Sequence, residues 1–213
     1  MAAPPTRLSV SRRLPATAFD FTHRMHRFCA DLIECLPQLR HIDIDRVAIG
    51  FAQARSGASH GLQATLTPLR FEGGRLVTRR DGRLWTTQRL YDHSGREMLY
   101  LLTFYLPRFL NLPFREKLVT VLHELWHVGP LCDGDLRRYP GRCALHGPSL
   151  ERYDAAMDRI ADSWLADDPP VELYGFLRFN YEELVARHGA VRAVRVPAPK
   201  LIELGDGPCP GRC

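Results

Sequence analysis

The chain has 213 residues, of which 45% are hydrophobic and 25% are charged. This length is enough for one domain with its own core and short for two domains. No run approaches the roughly 18 consecutive apolar residues that a membrane span requires, and the first residues lack the apolar segment of a secretory signal. We therefore predict a cytoplasmic protein that does not cross a membrane.

The net charge of +5 raises the question of a nucleic-acid partner. Lys117 and Lys200 are the only lysines, so nearly all of the positive charge is arginine. The arginines are scattered, apart from short pairs such as 79–80 and 137–138. Because no RNA- or DNA-binding signature accompanies them, the charge is more typical of a general compositional bias. Nucleic acid is kept as an alternative partner.

The cysteines favour reduced thiols. They are Cys29, Cys35, Cys132, Cys143, Cys209 and Cys213. Without an export signal, a disulfide framework is not expected. Cys209 and Cys213 form a CxxxC pair near the C-terminus, which alone is a weak indication of a second zinc site.

The first half of the chain predicts one helix followed by strands. Residues 1–16 are rich in Pro, Ala, Ser and Arg, which predicts a disordered N-terminal arm. From position 18 onward, apolar residues recur at helical spacing until Pro37. Strands are predicted at 47–52 and 62–71, and Pro68 favours an edge position for the second.

Two hairpins are predicted next. Residues 72–75 form a turn into a short strand. Residues 84–91 and 97–106 flank the turn-forming cluster 92–96, which predicts a second hairpin. The run 98–106 is apolar almost throughout, as a buried central strand would be.

The second half predicts helices. One helix runs from Phe114 to the Gly-Pro pair at 129–130, which stops it. Residues 130–147 are rich in glycine and proline and predict a long loop. A further helix is predicted at 149–165, and another at 171–188 before short extended pieces.

This order of elements predicts an α+β fold, because the strands and helices are segregated rather than alternating. We expect a small, mostly antiparallel sheet within a domain that spans residues 17–170. Residues 171–213 are predicted to be a C-terminal extension that packs on the same domain or is partly flexible.

Residues 123–127 have the sequence HELWH, an HExxH motif. On a helix, residues i and i+4 lie on one face, so the imidazoles of His123 and His127 can bind one metal ion. The carboxylate of Glu124 lies beside them and can take a proton from water at the metal. The sequence therefore predicts a metallopeptidase with Zn²⁺ as cofactor and a peptide or protein as substrate.

A catalytic zinc site needs a third protein ligand. The downstream candidates are Asp133, His146, Glu151 and Asp154. His146 precedes Gly147 at the entry to the next helix, and histidine is a common zinc ligand. Asp133 has the spacing after the second His that some zincins use, although Pro130 stands where those proteins have glycine. Glu151 would copy sites that a carboxylate from the following helix completes.

The segment between these ligands, DGDLRRYPGR at 133–142, has two interpretations. Its aspartates can orient a ligand imidazole, and Arg137, Arg138 or Tyr139 can stabilise an oxyanion. Alternatively, Asp–Arg pairs simply hold an irregular loop in place. We favour the second interpretation for any single residue.

The string HELWH, then DGDLRRYPGR, then HG ahead of a helix resembles a family of metallopeptidases found in prokaryotes and phages. It is similar, more distantly, to SprT-like zincins. The resemblance covers about residues 45–165, most strongly 118–155. It implies a zincin-like fold, peptide-bond hydrolysis and His146 as the third ligand.

Two alternatives stay open. The first is a non-catalytic, metal-stabilised regulatory or DNA-binding module whose closed site includes Cys132 or Cys143. The second is a protease that acts on DNA-bound proteins, as the similarity to SprT-like enzymes implies. For a peptidase, the strand at 62–71 could align an extended peptide by β-augmentation.

Overall fold

The computed structural model describes residues 6–7, 17–54, 61–138 and 150–205, and the side chains of 17–54, 61–138 and 155–205. Apart from residues 6–7, the predicted N-terminal arm lies outside this part of the chain. In the described ranges the helices are α1 (Phe21–Cys35), α2 (Phe114–Trp126), α3 (Leu150–Ala166), α4 (Val171–Tyr174) and α5 (Tyr181–His188).

The strands are short, apart from two of seven residues. They are β1 (Thr6–Arg7), β2 (Phe19–Asp20), β3 (Val47–Gln53), β4 (Ala64–Pro68), β5 (Val77–Arg80), β6 (Arg83–Thr87), β7 (Leu90–Tyr91), β8 (Glu97–Met98), β9 (Tyr100–Leu106), β10 (Val191–Arg192) and β11 (Leu201–Glu203).

The main sheet has the order β3-β9-β4. The predicted central strand is confirmed as β9, which pairs in parallel with β3 and antiparallel with β4. The edge position predicted from Pro68 is also confirmed, because β4 has one partner strand in the described part of the chain. The α+β class is therefore confirmed, whereas the main sheet is mixed rather than mostly antiparallel.

The predicted second hairpin is wrong in extent. Only β7 and β8 pair across its turn. β6 pairs instead with β5 and with the C-terminal β11, forming a separate three-stranded sheet. Apolar and β-branched residues within 84–91 indicate a strand, but such composition does not specify which strand pairs with it.

The core lies between the main sheet and the helices. α1 begins at its N-cap Asp20, whose carboxylate accepts a hydrogen bond of 3.0 Å from the backbone N–H of His23. Its buried face carries Phe21, Met25, Phe28 and Leu32 at helical spacing. These side chains pack in one cluster with those of β9 and α2. The same cluster therefore fixes the position of α2 against the sheet.

The C-terminal region joins this core. Leu177 and Leu184 are fully or almost fully buried in the main cluster. The predicted helix at 171–188 is divided into α4, a 3₁₀ turn at Gly175–Arg178, and α5. No helix of the described residues combines the length and apolar character that a membrane crossing requires.

Candidate active site on the second helix

The HExxH motif lies in the last turn of α2, as its sequence predicts. The helix begins after Pro113, and Leu118, Val121, Leu122 and Leu125 form its buried face. His127 is the C-cap residue and still has right-handed helical backbone angles. Because the backbone is helical through both histidines, residues 123 and 127 share one face.

The two imidazoles are close together. The ring centres of His123 and His127 are 4.7 Å apart, and the ring planes meet at 79°. Two imidazoles that bind one tetrahedral zinc ion through bonds of about 2.1 Å hold their ring centres roughly 5 Å apart. The observed separation therefore fits a shared metal ion. The side chain of His127 is only 8% exposed, so its direction is set by its surroundings.

Glu124 is held by the edge of the main sheet. Its Oε2 accepts a hydrogen bond of 2.7 Å from the backbone N–H of Leu66 in β4. Burial raises the pKa of Glu124 to about 7, and the hydrogen bond from Leu66 opposes part of that rise. The carboxylate is thus fixed between the motif helix and the edge strand.

After α2, residues 129–138 form a loop, here called the return loop, that is held by several hydrogen bonds. The hydroxyl of Tyr100 in β9 donates to the carbonyl of Asp135 at 2.8 Å and accepts from the N–H of Gly134 at 3.0 Å. The N–H of Gly129 donates to the same Asp135 carbonyl at 3.1 Å. A Cβ on Gly129 would stand 2.7 Å from that carbonyl oxygen, so only glycine permits this approach.

The aspartates and arginines of the loop hold its shape. The carboxylate of Asp135 accepts from the N–H groups of Gly73 at 2.9 Å and Leu136 at 2.8 Å, and pairs with Arg138 at 2.8 Å. The backbone N–H of Arg137 donates to the carbonyl of His127 at 2.8 Å. These contacts agree with the interpretation that Asp–Arg pairs hold the loop in place. Tyr139, a candidate for oxyanion stabilisation, lies outside the described residues.

No third candidate ligand joins the two histidines among the residues whose side chains the structure describes. Within them, no group of three or more His, Cys, Asp or Glu side chains is arranged to hold a metal ion. Asp133 faces the turn at Glu72–Gly74, since its Oδ2 lies 2.9 Å from the Cβ position of Gly74. His146 lies outside the described residues, and so do the side chains of Glu151 and Asp154.

Of the two cysteines proposed for the alternative four-ligand site, Cys132 is among the described residues and Cys143 is not. The Sγ of Cys132 accepts a hydrogen bond of 3.3 Å from the backbone N–H of Asp43, the N-cap of the 3₁₀ turn at Ile44–Arg46. Cys143, Cys209 and Cys213 lie outside the described residues.

Sequence reasoning missed two contributors to this site. Leu66 acts through its backbone N–H, which no side-chain pattern can reveal. Tyr100 was assigned only to a buried strand, although a tyrosine within an apolar run needs a partner for its hydroxyl. That requirement was the one available signal for the contact with the loop.

In comparisons with protein-family models, curated proteins and solved structures, no match to this chain was found.

Proposed function

We propose that this protein is a zinc-dependent metallopeptidase with His123 and His127 as metal ligands and Glu124 as general base. The proposal depends on the arrangement of three side chains. The ring centres of His123 and His127 lie 4.7 Å apart, and the backbone N–H of Leu66 at the sheet edge binds the carboxylate of Glu124, the residue that follows His123. His146 is the proposed third ligand, which rests on the sequence resemblance.

When bound, a zinc ion supplies Lewis-acid activation of water and of the scissile carbonyl. The residues of the chain supply orientation and proton transfer. Because Leu66 holds one oxygen of Glu124, the carboxylate is restrained beside the histidines and its other oxygen can accept a proton from water. The same group then delivers that proton to the leaving amine.

The edge strand β4 supports a peptide or protein as substrate. The N–H of Tyr105 donates to the carbonyl of Gln63 at 2.9 Å, which fixes the alternation of the ladder. The backbone groups of Ala64 and Leu66 therefore point away from β9. Because the outward N–H of Leu66 is already bound to Glu124, an extended peptide would pair by β-augmentation with the backbone groups of Ala64 and the carbonyl of Leu66, next to Glu124. The proposed cytoplasmic location rests on the sequence prediction alone.

The central test is Glu124→Gln, measured for zinc content and for peptide-bond hydrolysis in a mixture of unstructured peptides. We expect full zinc content and a loss of activity of at least about 100-fold, since general acid–base catalysis contributes about 10²–10⁴-fold. Glu116→Gln is the matched control, because Glu116 is exposed in the first turn of the same helix. His123→Ala should lose the zinc. Unchanged activity in both the Glu124 and His123 variants would contradict the proposal.

A further inference from the structure

One arginine of the return loop contacts the end of the motif helix. The Nε of Arg137 donates to the carbonyl of Trp126 at 2.8 Å. Its guanidinium carbon lies 4.5 Å from the centre of the Trp126 ring, so the group also stacks on the indole. Its backbone N–H donates to the carbonyl of His127. One residue therefore binds both carbonyls at the point where α2 ends.

Helix ends need such contacts. The last four carbonyls of an α-helix have no partner within the helix, and the last turn frays unless other groups bind them. A cation at this end also interacts favourably with the helix dipole. Since His127 is the C-cap residue, its backbone angles, and with them the direction of its ring, depend on how the last turn is held.

Arg137 is itself held in place. Val128 and Leu136 form an antiparallel bridge immediately beside it. On the far side, the Nε2 of His41 lies 3.4 Å from a terminal nitrogen of the Arg137 guanidinium and 3.4 Å from the carbonyl of Val128. The half-buried side chain of Arg137 thus contacts the indole, a helix carbonyl and an imidazole at once.

We propose that Arg137 is a positioning residue of the metal site: it fixes the last turn of α2 so that the imidazole of His127 points at the ion shared with His123. This inference rests on the proposed function. It differs from a role as oxyanion stabiliser, because the contacts of the guanidinium are with the helix end and with the face of Trp126. The planar fork of arginine suits this double role, and a lysine ammonium fulfils only part of it.

The test compares Arg137→Met, Arg137→Lys and a control, Arg178→Met, in the full-length protein. Arg178 stacks on Phe114 at the opposite end of the same helix, 5.0 Å from the ring centre. The measurements are zinc affinity by competition with a chromophoric chelator, the visible spectrum of the cobalt-substituted protein, and the urea midpoint. The first two report on the ligands, and the third reports on global stability.

We expect Arg137→Met to bind zinc about 10–100-fold more weakly than the wild type, the range found when groups behind metal ligands are removed. Its cobalt spectrum should change. Arg137→Lys should have an intermediate affinity. Arg178→Met should lower the urea midpoint by about as much as Arg137→Met does, while keeping the zinc affinity and the cobalt spectrum of the wild type.

Two results would overturn the inference. One is a zinc affinity and cobalt spectrum of Arg137→Met that equal those of the wild type. The other is an equal loss of affinity in Arg178→Met, which would mean that only global stability matters. If Arg137→Met does not fold, Arg137→Lys decides, and wild-type affinity and spectrum in that variant reject the positioning role.

The proposed function fails in a different way. It fails if the wild type does not bind zinc, or if His123→Ala binds zinc as tightly as the wild type. If the wild type binds zinc through His123 and the Arg137 variants bind it equally well, the function stands and only the positioning role is rejected.

Discussion

At each end of α2 a cation binds backbone carbonyls, but at one end the cation belongs to the helix and at the other end it comes from the loop. Near the first turn, the Nζ of Lys117 donates to the carbonyls of Leu177 and Phe179 at 2.9 and 2.8 Å. The cation therefore belongs to the helix, and the carbonyls belong to the C-terminal region. At the other end the carbonyls belong to the helix, and the cation, Arg137, comes from the loop.

The difference indicates that the Lys117 end of α2 serves packing, whereas the Arg137 end bears on the proposed metal site. Lys117 is only 2% exposed and lies at the helix end where a cation is disfavoured, so it needs the two carbonyls as partners. Burial lowers its pKa to about 8, and Glu183 opposes that change. Its contact joins α2 to the C-terminal region, away from the histidines. Arg137 contacts the residue next to a proposed ligand. Variants at the first end should affect stability alone, and variants at the second end should also affect metal binding.

The largest stability effect is expected for Lys117→Met. This change keeps most of the side-chain volume but leaves two carbonyls without their donor, at a cost of about 2–4 kcal/mol in the free energy of unfolding. Urea denaturation measures the loss. Lys200→Met is the control, because Lys200 is the only other lysine and is exposed. A zinc affinity lowered by more than about threefold in the folded Lys117 variant would contradict the separation of the two ends.

Tyr100→Phe tests the loop that presents Arg137. The hydroxyl bridges Gly134 and Asp135, and without it two buried backbone groups lose a partner, for a loss of about 2 kcal/mol. Zinc affinity should fall as well, because the loop supports the helix end. Tyr105→Phe on the same strand is the half-exposed control. Chelator competition and urea unfolding would show whether the two losses occur together, and a stability loss without any change in affinity would argue against the link.

The pH dependence of stability tests a group of ion pairs beside the same loop. Hydrogen bonds from Arg89 and then Arg70 hold the pKa of Glu97 at about 2. An unfolded glutamate titrates near pH 4.3. The native state therefore binds fewer protons, so this contribution is present above about pH 4.3 and is lost as the pH falls toward 2.

Glu97→Gln should cost about 1–3 kcal/mol at pH 6 and progressively less toward pH 3. The backbone N–H of Arg70 also donates to the carbonyl of Gly134, so one residue of the ion pair contacts the loop as well. Unfolding free energies of both proteins at pH 6, 4 and 3 measure the effect. An unfolding difference between the two that stays constant over this range would reject the pKa assignment.

The smallest effect is expected at the cap of α5, which lies beside the Lys117 contact. The side chain of Asn180 accepts from the N–H of Glu183, whose carboxylate binds the N–H of Asn180 in return. Asn180→Ala should cost about 1 kcal/mol, and Asn180→Gly only a few tenths, because glycine is tolerated at this position. Thermal or urea unfolding distinguishes the two, and zinc affinity should be unchanged in both. An unchanged stability of Asn180→Ala would show that the cap contributes little.

Much of this architecture was predictable because it depends on local pattern. The helical spacing of apolar residues predicted α1 and α2, and the continuous apolar run predicted β9. The motif residues could be assigned as a set, since i and i+4 on any helix share a face. The edge position of β4 followed from a single proline, which lacks the N–H that a central strand must donate.

Which strands and side chains lie beside each other was decided by the tertiary structure. The composition of a segment can indicate a strand, but it does not show which strand lies beside it, so the pairing of β6 with β5 and β11 was not foreseen. The parallel pairing of β3 with β9 joins residues about fifty positions apart and has no local signal. For the same reason, the amide that holds Glu124 and the guanidinium that caps α2 were invisible in the sequence. Both contacts connect groups that only the folded chain brings together.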